Sequence, residues 1–152
     1  MRSLAEALGD RGWQLAVAES LTGGLLGATI AQGPNASAWY RGGVVAYQYT
    51  TKQRLLGVSE VPVVSEACAK EMAAGVRTLM EADVGLAATG IGGPGPDEGE
   101  PPGTVWLAVA APHREAARLH RLGGRSPNDV LSLSCVLAVN LLIEVLGHSE
   151  EL

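Results

Sequence analysis

The hexapeptide Glu19-Ser20-Leu21-Thr22-Gly23-Gly24 is the stretch best equipped for chemistry in this chain of 152 residues. An apolar run, WQLAVA from Trp13, precedes it, and a second, LLGATIA from Leu25, continues at helical spacing. The polar residues therefore fall at a predicted strand-to-helix turn. Such a turn exposes one side chain at the end of a sheet and points unpaired helix N-terminal amides at whatever lies above it. Ser20 is placed as a nucleophile would be, and Gly23 and Gly24 let a substrate come close to the backbone. The competing reading is that Ser20 or Thr22 caps the helix, which is the commoner fate of such a residue.

Two further polar clusters follow strand-like runs: YQYTTK, from Tyr47 to Lys52, and TGIGGPG, from Thr89 to Gly95. Ligands of open parallel sheets collect beyond the carboxyl ends of the strands, so the three clusters meet in one cleft if their strands run the same way. That would gather a hydroxyl, a phenol, an amine and two glycine-rich backbones. Lys52 and Lys70 are the only lysines, whereas every other strong cation is arginine. A lysine gives up its proton near neutrality when partly desolvated, and arginine does not. A solvated surface lysine is still the ordinary reading of Lys52 taken alone.

Several motifs are excluded. GIGGPG from Gly90 satisfies GxGxxG after a strand, but Pro94, Pro96, Pro101 and Pro102 forbid the helix that a dinucleotide site needs there. GxxxxGK[ST], SxxK, GxSxG and HExxH are all absent. Cys68 and Cys135 stand alone on two predicted helices and read as small buried hydrophobes. His113, His120 and His148 show no ligand spacing, so the expectation is a site without metal.

The elements that must position these residues can be read in order. A short first helix around Leu4 and Leu8 ends at Gly9 and Gly12, and residues 13–18 make the first strand. After the Ser20 turn and its helix, Gly33 and Pro34 break the chain. The run at 44–49 is β-branched and aromatic, as in a strand. A short helix over 50–56 closes at Gly57. Ser65 caps a helix over 66–81, whose core face carries Cys68, Met72, Val76 and Leu79. Strands are predicted at 84–89, 104–110 and 115–122, the last antiparallel to its predecessor across the turn at Pro112. Ser126, Pro127 and Gly147 punctuate a final helix that is apolar on almost every face. Its composition predicts burial in the domain or against another subunit.

Helices alternating with strands argue for one α/β domain over residues 1–152, a three-layer α/β/α sandwich around a mixed, mostly parallel sheet of about five strands. The formal net charge of -5, with scattered arginines, argues against direct contact with nucleic acid or an anionic membrane. No leader peptide is evident, no apolar run is expected to span a membrane, and the cysteines are unpaired, which together predict a cytoplasmic protein.

A wider set of segments resembles the C-terminal domain of the CinA family. They are AESLTGG from Ala18, GGVVAY from Gly42, Lys52 with LLGV from Leu55, VSE from Val64, ATGI from Ala88 with GPG from Gly93, and GTV from Gly103. They occur in order and cover most of the chain, which makes the resemblance far more specific than any one motif. It implies a three-layer α/β/α fold and an amidohydrolase that converts nicotinamide mononucleotide and water to nicotinate mononucleotide and ammonia. By the same resemblance Ser20 is the nucleophile, Tyr47 and Lys52 assist it, and Thr89 and Arg125 belong to the substrate site. Thr22, Gly23, Gly24 and Gly90 complete the expected oxyanion and substrate contacts, and Arg125 or Arg41 meets the substrate phosphate with help from the helix start after Ser20. No metal or organic cofactor is implied.

The chain departs from the family pattern at Gly124, where an acid is usual, and at Asp129, where an arginine is usual. Gly92, Pro96 and Asn35 are further departures. Two other functions stay open at this level: a catalytically silent nucleotide-sensing or protein-interaction domain linked to competence and DNA damage, and an amidase for another small amide. The expected partners are a small nucleotide, further copies of the chain in a homodimer or larger assembly, and a CinA-type N-terminal domain supplied separately.

Overall fold

A computed structural model describes residues 1–147. Its elements are α1 (Arg2–Gly9), β1 (Leu15–Glu19), α2 (Leu25–Ala31), α3 (Ala36–Trp39), β2 (Tyr40–Val45), α4 (Tyr49–Leu56), α5 (Glu66–Leu79), β3 (Val84–Gly90), β4 (Thr104–Ala111), β5 (Arg114–Arg121) and α6 (Pro127–Gly147). The strands form one sheet in the order β2-β1-β3-β4-β5. β1 is parallel to both β2 and β3, while β4 runs antiparallel to β3 and β5. The fold is therefore the expected three-layer α/β sandwich on a five-stranded mixed sheet. His148 lies outside the described residues.

The two faces of the sheet are packed differently, and the sequence alternation explains how. Leu15, Val17, Val84, Leu86, Val105, Leu107 and Val109 point to one side, where α1, α2 and α6 cover them. Ala16, Ala18, Ala87, Ala108 and Ala110 point to the other, under α4 and α5. Because these strand positions offer only alanine methyl groups, α5 lies close to the strands. A Cβ added to Gly85 would run into the backbone carbonyl of Ala73 in α5, and one added to Gly75 into the carbonyl of Leu56 in α4. Gly85→Ala is accordingly expected to cost about 1–3 kcal/mol of stability through overpacking, read as a lowered urea midpoint at unchanged slope. A midpoint equal to wild type would refute the tight α5 contact.

Several boundaries differ from the sequence reading. The second strand occupies Tyr40–Val45, not 44–49, and Tyr49 already begins α4. The aromatic and β-branched content of 44–49 suggested a strand, but Tyr40 and the small residues Gly42 and Gly43 pair with β1. Tertiary pairing overrides local propensity there. Asn35, one of the departures from the family pattern, has φ 53. Asparagine tolerates that left-handed conformation better than most residues, so the replacement of glycine is accommodated.

The expectation that nothing reaches membrane-spanning length also needs correction. α6 is long and apolar enough to cross a membrane by length and composition alone. In the structure half of that apolar window is buried, with Val130, Ala138, Leu141, Leu142 and Val145 packed on the sheet. Its apolarity serves the larger of the two core clusters.

Candidate active site

Because β1, β2 and β3 run the same way, their carboxyl ends share one edge of the sheet. Ser20 follows β1 directly, Tyr47 comes two residues after β2, and Thr89 and Gly90 end β3. β5 is antiparallel to β4 and so also points to this edge, which brings Arg125 to it. The convergence expected from the three polar clusters is thus a consequence of strand direction.

The central feature is a hydroxyl–amine pair. Lys52 Nζ lies 2.8 Å from Ser20 Oγ. Lys52 has no exposed surface, and Ser20 is 5% exposed. Lys52 reaches this place because α4 turns Lys52 and Leu56, four residues apart, toward the sheet. Its remaining contacts are the carbonyl oxygens of Ala46, at 2.7 Å, and Tyr47, at 2.9 Å. Carbonyl oxygens only accept, so the proton shared between Lys52 and Ser20 is the one that can change owner. Burial pulls the Lys52 amine below its ordinary 10.5, with the nearby Cys68 and Glu98 opposing in part. The Cys68 thiol is pushed up to about 11 by the same burial and stays protonated.

The backbone fixes the pair from both sides. The Ser20 N–H donates to Ala88 C=O at 2.9 Å, and the Ala46 N–H donates to Glu19 C=O at 2.8 Å. Glu19 and Ala46 thus join the segment carrying Ser20 to the segment whose carbonyl grips Lys52.

The other expected residues fare differently. The Tyr47 side chain is 68% exposed, and only its backbone carbonyl meets Lys52. The phenol expected to share the proton work points into solvent, because β2 ends at Val45 and the chain has already turned out toward α4. Thr89 is fully buried, and its hydroxyl donates to Val63 C=O at 2.9 Å. It ties β3 to the segment before α5, which leaves it no surface for a substrate. Gly90 meets the backbone of Thr104 and Val105 so closely that a Cβ there would clash.

Around the turn the expected oxyanion donors are already engaged. The Gly23 N–H donates to Ser20 C=O at 3.1 Å, and the Gly24 N–H to Glu19 Oε1 at 3.1 Å. Neither Ser20 nor Thr22 caps α2 through its side chain. Thr22 is buried, and its Oγ1 has no hydrogen-bond partner. The α2 N-terminus, expected to assist an anionic substrate, instead holds the Glu19 carboxylate.

Arg125 lines a hollow of about 110 Å³ with Gly92, Gly93, Gly124 and Pro127, beside the start of α6. Gly124 keeps this wall free of the acid usual at its position. Asp129 donates its N–H to Ser126 Oγ at 3.2 Å and sits in the first turn of α6, where a negative charge suits the dipole. Arg41 lies on the edge strand β2 and is exposed.

Sequence reasoning missed Glu19 and Glu98. Glu98 reaches from the glycine-rich loop to accept the N–H groups of Val63 and Val64 at 3.1 and 3.2 Å. No local pattern announces a contact between segments so far apart in the chain. Glu19 did carry a signal, an acid just ahead of a helix start. Among the described residues no three His, Cys, Asp or Glu side chains gather as a metal site would require.

Fold and site together define an open-sheet α/β protein with a buried serine–lysine pair at the carboxyl end of β1, an interior strand of the sheet. The sequence model of the CinA C-terminal domain matches residues 1–146, and the chain belongs to that family. The competence-damage inducible protein of Geobacillus kaustophilus is 44% identical over 133 residues, covering 84% of this chain and 32% of that protein. A CinA-like protein of Frankia casuarinae is 42% identical, covering 91% of this chain and 33% of its own length. The chain therefore spans about a third of these curated relatives. Among solved structures, a CinA superfamily protein of Klebsiella pneumoniae 700603 superposes with a TM-score of 0.91 at 36% identity, covering 97% of this chain and 95% of that one. The competence/damage inducible protein of Agrobacterium tumefaciens gives 0.86 at 27% identity, covering 95% and 96%.

Proposed function

We propose that this chain is an amidohydrolase that converts nicotinamide mononucleotide and water to nicotinate mononucleotide and ammonia. The observation that carries the reading is the 2.8 Å contact between a desolvated Lys52 amine and Ser20 Oγ, with every other Lys52 contact an acceptor carbonyl.

In this reading Ser20 Oγ attacks the carboxamide carbon while its proton passes to neutral Lys52 Nζ. The tetrahedral intermediate carries its charge on the former carbonyl oxygen. Collapse breaks the C–N bond, and the proton held by Lys52 goes to the leaving nitrogen, releasing ammonia. Lys52, neutral again, takes a proton from water as that water attacks the acyl ester, and returning this proton to Ser20 frees the nicotinate product. Burial favours the neutral amine that both proton abstractions need.

The oxyanion requires donors not already engaged. After Ser20, the amides of Gly23, Gly24, Leu25, Leu26, Gly27 and Ala28 all have acceptors. Those of Leu21 and Thr22 remain for the oxyanion, a contribution often worth about 3–4 kcal/mol to the barrier. Arg125 supplies the phosphate contact. It follows β5, three strand spacings or about 14 Å from β1, a separation that suits the two ends of a mononucleotide.

The test is ammonia release from nicotinamide mononucleotide by the purified chain in the presence of a chelator. Expected is formation of nicotinate mononucleotide and ammonia in equal amounts, unaffected by the chelator. Binding of the nucleotide without ammonia would replace this reading by the silent sensing domain.

A further inference from the structure

Glu19 is 2% exposed and sits at the centre of a closed ring of contacts. Its Oε1 accepts from Gly24 N–H at 3.1 Å and Leu26 N–H at 2.8 Å, and its Oε2 from Gly27 N–H at 2.9 Å. Its backbone carbonyl accepts from Ala46 N–H at 2.8 Å. The Ala46 carbonyl in turn accepts from Lys52 Nζ, and Lys52 Nζ donates to Ser20 Oγ, the residue next to Glu19 in sequence. One residue thus anchors both partners of the pair, Ser20 through the turn and Lys52 through Ala46.

We propose that Glu19 is a positioning residue for the reaction: its carboxylate locks the turn from β1 to α2 so that Ser20 Oγ stays on Lys52 and the Leu21 and Thr22 amides stay free for the oxyanion. The proposal rests on the reading of Ser20 as a nucleophile. Three charge-assisted hydrogen bonds hold the turn more firmly than a neutral cap would, and they fill the helix start completely. Without them the amides of Gly24, Leu26 and Gly27 would compete with Leu21 and Thr22 for the developing negative charge, at positions the reaction does not need. Tight geometry matters because a displacement of about 1 Å can cost about 100-fold in rate.

Glu19→Gln is the discriminating variant. The glutamine oxygen can still accept from Gly24 and Leu26, but its NH2 then faces the Gly27 N–H, donor against donor. Glu19→Asp keeps the charge and shortens the reach. Each is compared with wild type by labelling with a small fluorophosphonate, mapped to Ser20 by mass spectrometry, and by kcat and KM for nicotinamide mononucleotide. Expected for Glu19→Gln is cooperative unfolding, KM within about threefold of wild type, and Ser20 labelling and kcat both lower by about 100-fold. Faster amide exchange confined to residues 20–28 should accompany this loss.

Labelling and turnover of Glu19→Gln within about threefold of wild type would overturn the positioning role. So would loss of cooperative unfolding in both variants, since Glu19 would then serve the fold alone. A wild type that does not label at Ser20 removes the nucleophile and the proposal with it. A wild type that labels at Ser20 yet releases no ammonia refutes the nucleotide as substrate and leaves the positioning role standing if Glu19→Gln slows the label.

Discussion

Ser20→Ala is expected to lower kcat for ammonia release by at least about 10⁴-fold while leaving the fold intact. The size follows from the chemistry, because the Cys68 thiol and the Thr89 hydroxyl are not available to replace the nucleophile. Cys68 is buried with its thiol held protonated, and the Thr89 hydroxyl is committed to Val63. The stability cost is small for a reason visible in the contacts. Ser20 Oγ takes one hydrogen bond, from Lys52, whose other two carbonyl partners persist. Loss of one such bond corresponds to about 1–3 kcal/mol. Ammonia release and urea unfolding measured on the same preparation decide the matter. Turnover within about tenfold of wild type would sink the serine mechanism, and a collapsed unfolding transition would mean that Ser20 is structural.

Lys52→Met should reduce kcat by about 10²–10⁴-fold, the range expected when a general base and acid is removed. Methionine fills the space without offering an amine, so the comparison isolates the proton carrier. A second readout follows from linkage. The folded-state pKa of Lys52 is depressed from 10.5, so between that lowered value and 10.5 the unfolded chain binds the extra proton and the folded chain does not. The Lys52 contribution to wild-type stability therefore climbs with pH through this window. The contribution is complete above 10.5 and is lost as pH falls from there to the folded value. In Lys52→Met that particular climb is absent, and the difference between the two stability curves traces the lysine titration. In the proposed reaction the same titration sets the rate: wild-type kcat/KM is expected to rise as pH passes the depressed value, because only the neutral amine can accept the Ser20 proton. Parallel stability curves for the two proteins would show that Lys52 is not perturbed by burial.

These two variants also bear on the wider family. Of the two relatives, one is named a competence-damage inducible protein and the other a CinA-like protein, and each is about three times as long as this chain. Ser20, Lys52 and Glu19 all lie within residues 1–146, the stretch that the CinA C-terminal domain model matches. The serine–lysine contact forms within this domain and needs no residue from the remainder of those longer proteins.

Much of the architecture was legible in the sequence because its punctuation is strong. Ser65 and Ser126 mark helix starts, and both hydroxyls accept the amide three residues on. Gly57 ends α4 in the left-handed conformation that its type allows. Alternation of branched residues with alanine in β1, β3 and β4 matches the face of the sheet that each side chain takes in the structure. Where two local signals competed, the sequence was ambiguous: tyrosine and valine at 44–49 read as a strand, and only pairing with β1 showed that the strand comes earlier.

For the site, residue types alone put a serine at a strand-to-helix turn and singled out a rare lysine. They could not say that Lys52 is buried, since a lysine on a short amphipathic helix is solvated unless something packs over it. The close approach of α5, permitted by Gly75, Gly85 and the alanine face, removes that solvent. Nor could they assign the work around the pair. Tyr47 contributes a carbonyl while its phenol faces water, Thr89 braces a loop, and Glu19 takes the helix amides that a substrate was expected to use. The reason is general: side-chain chemistry is written in the sequence, but which polar group reaches which partner depends on distances between segments far apart in the chain, and only the packed structure sets those.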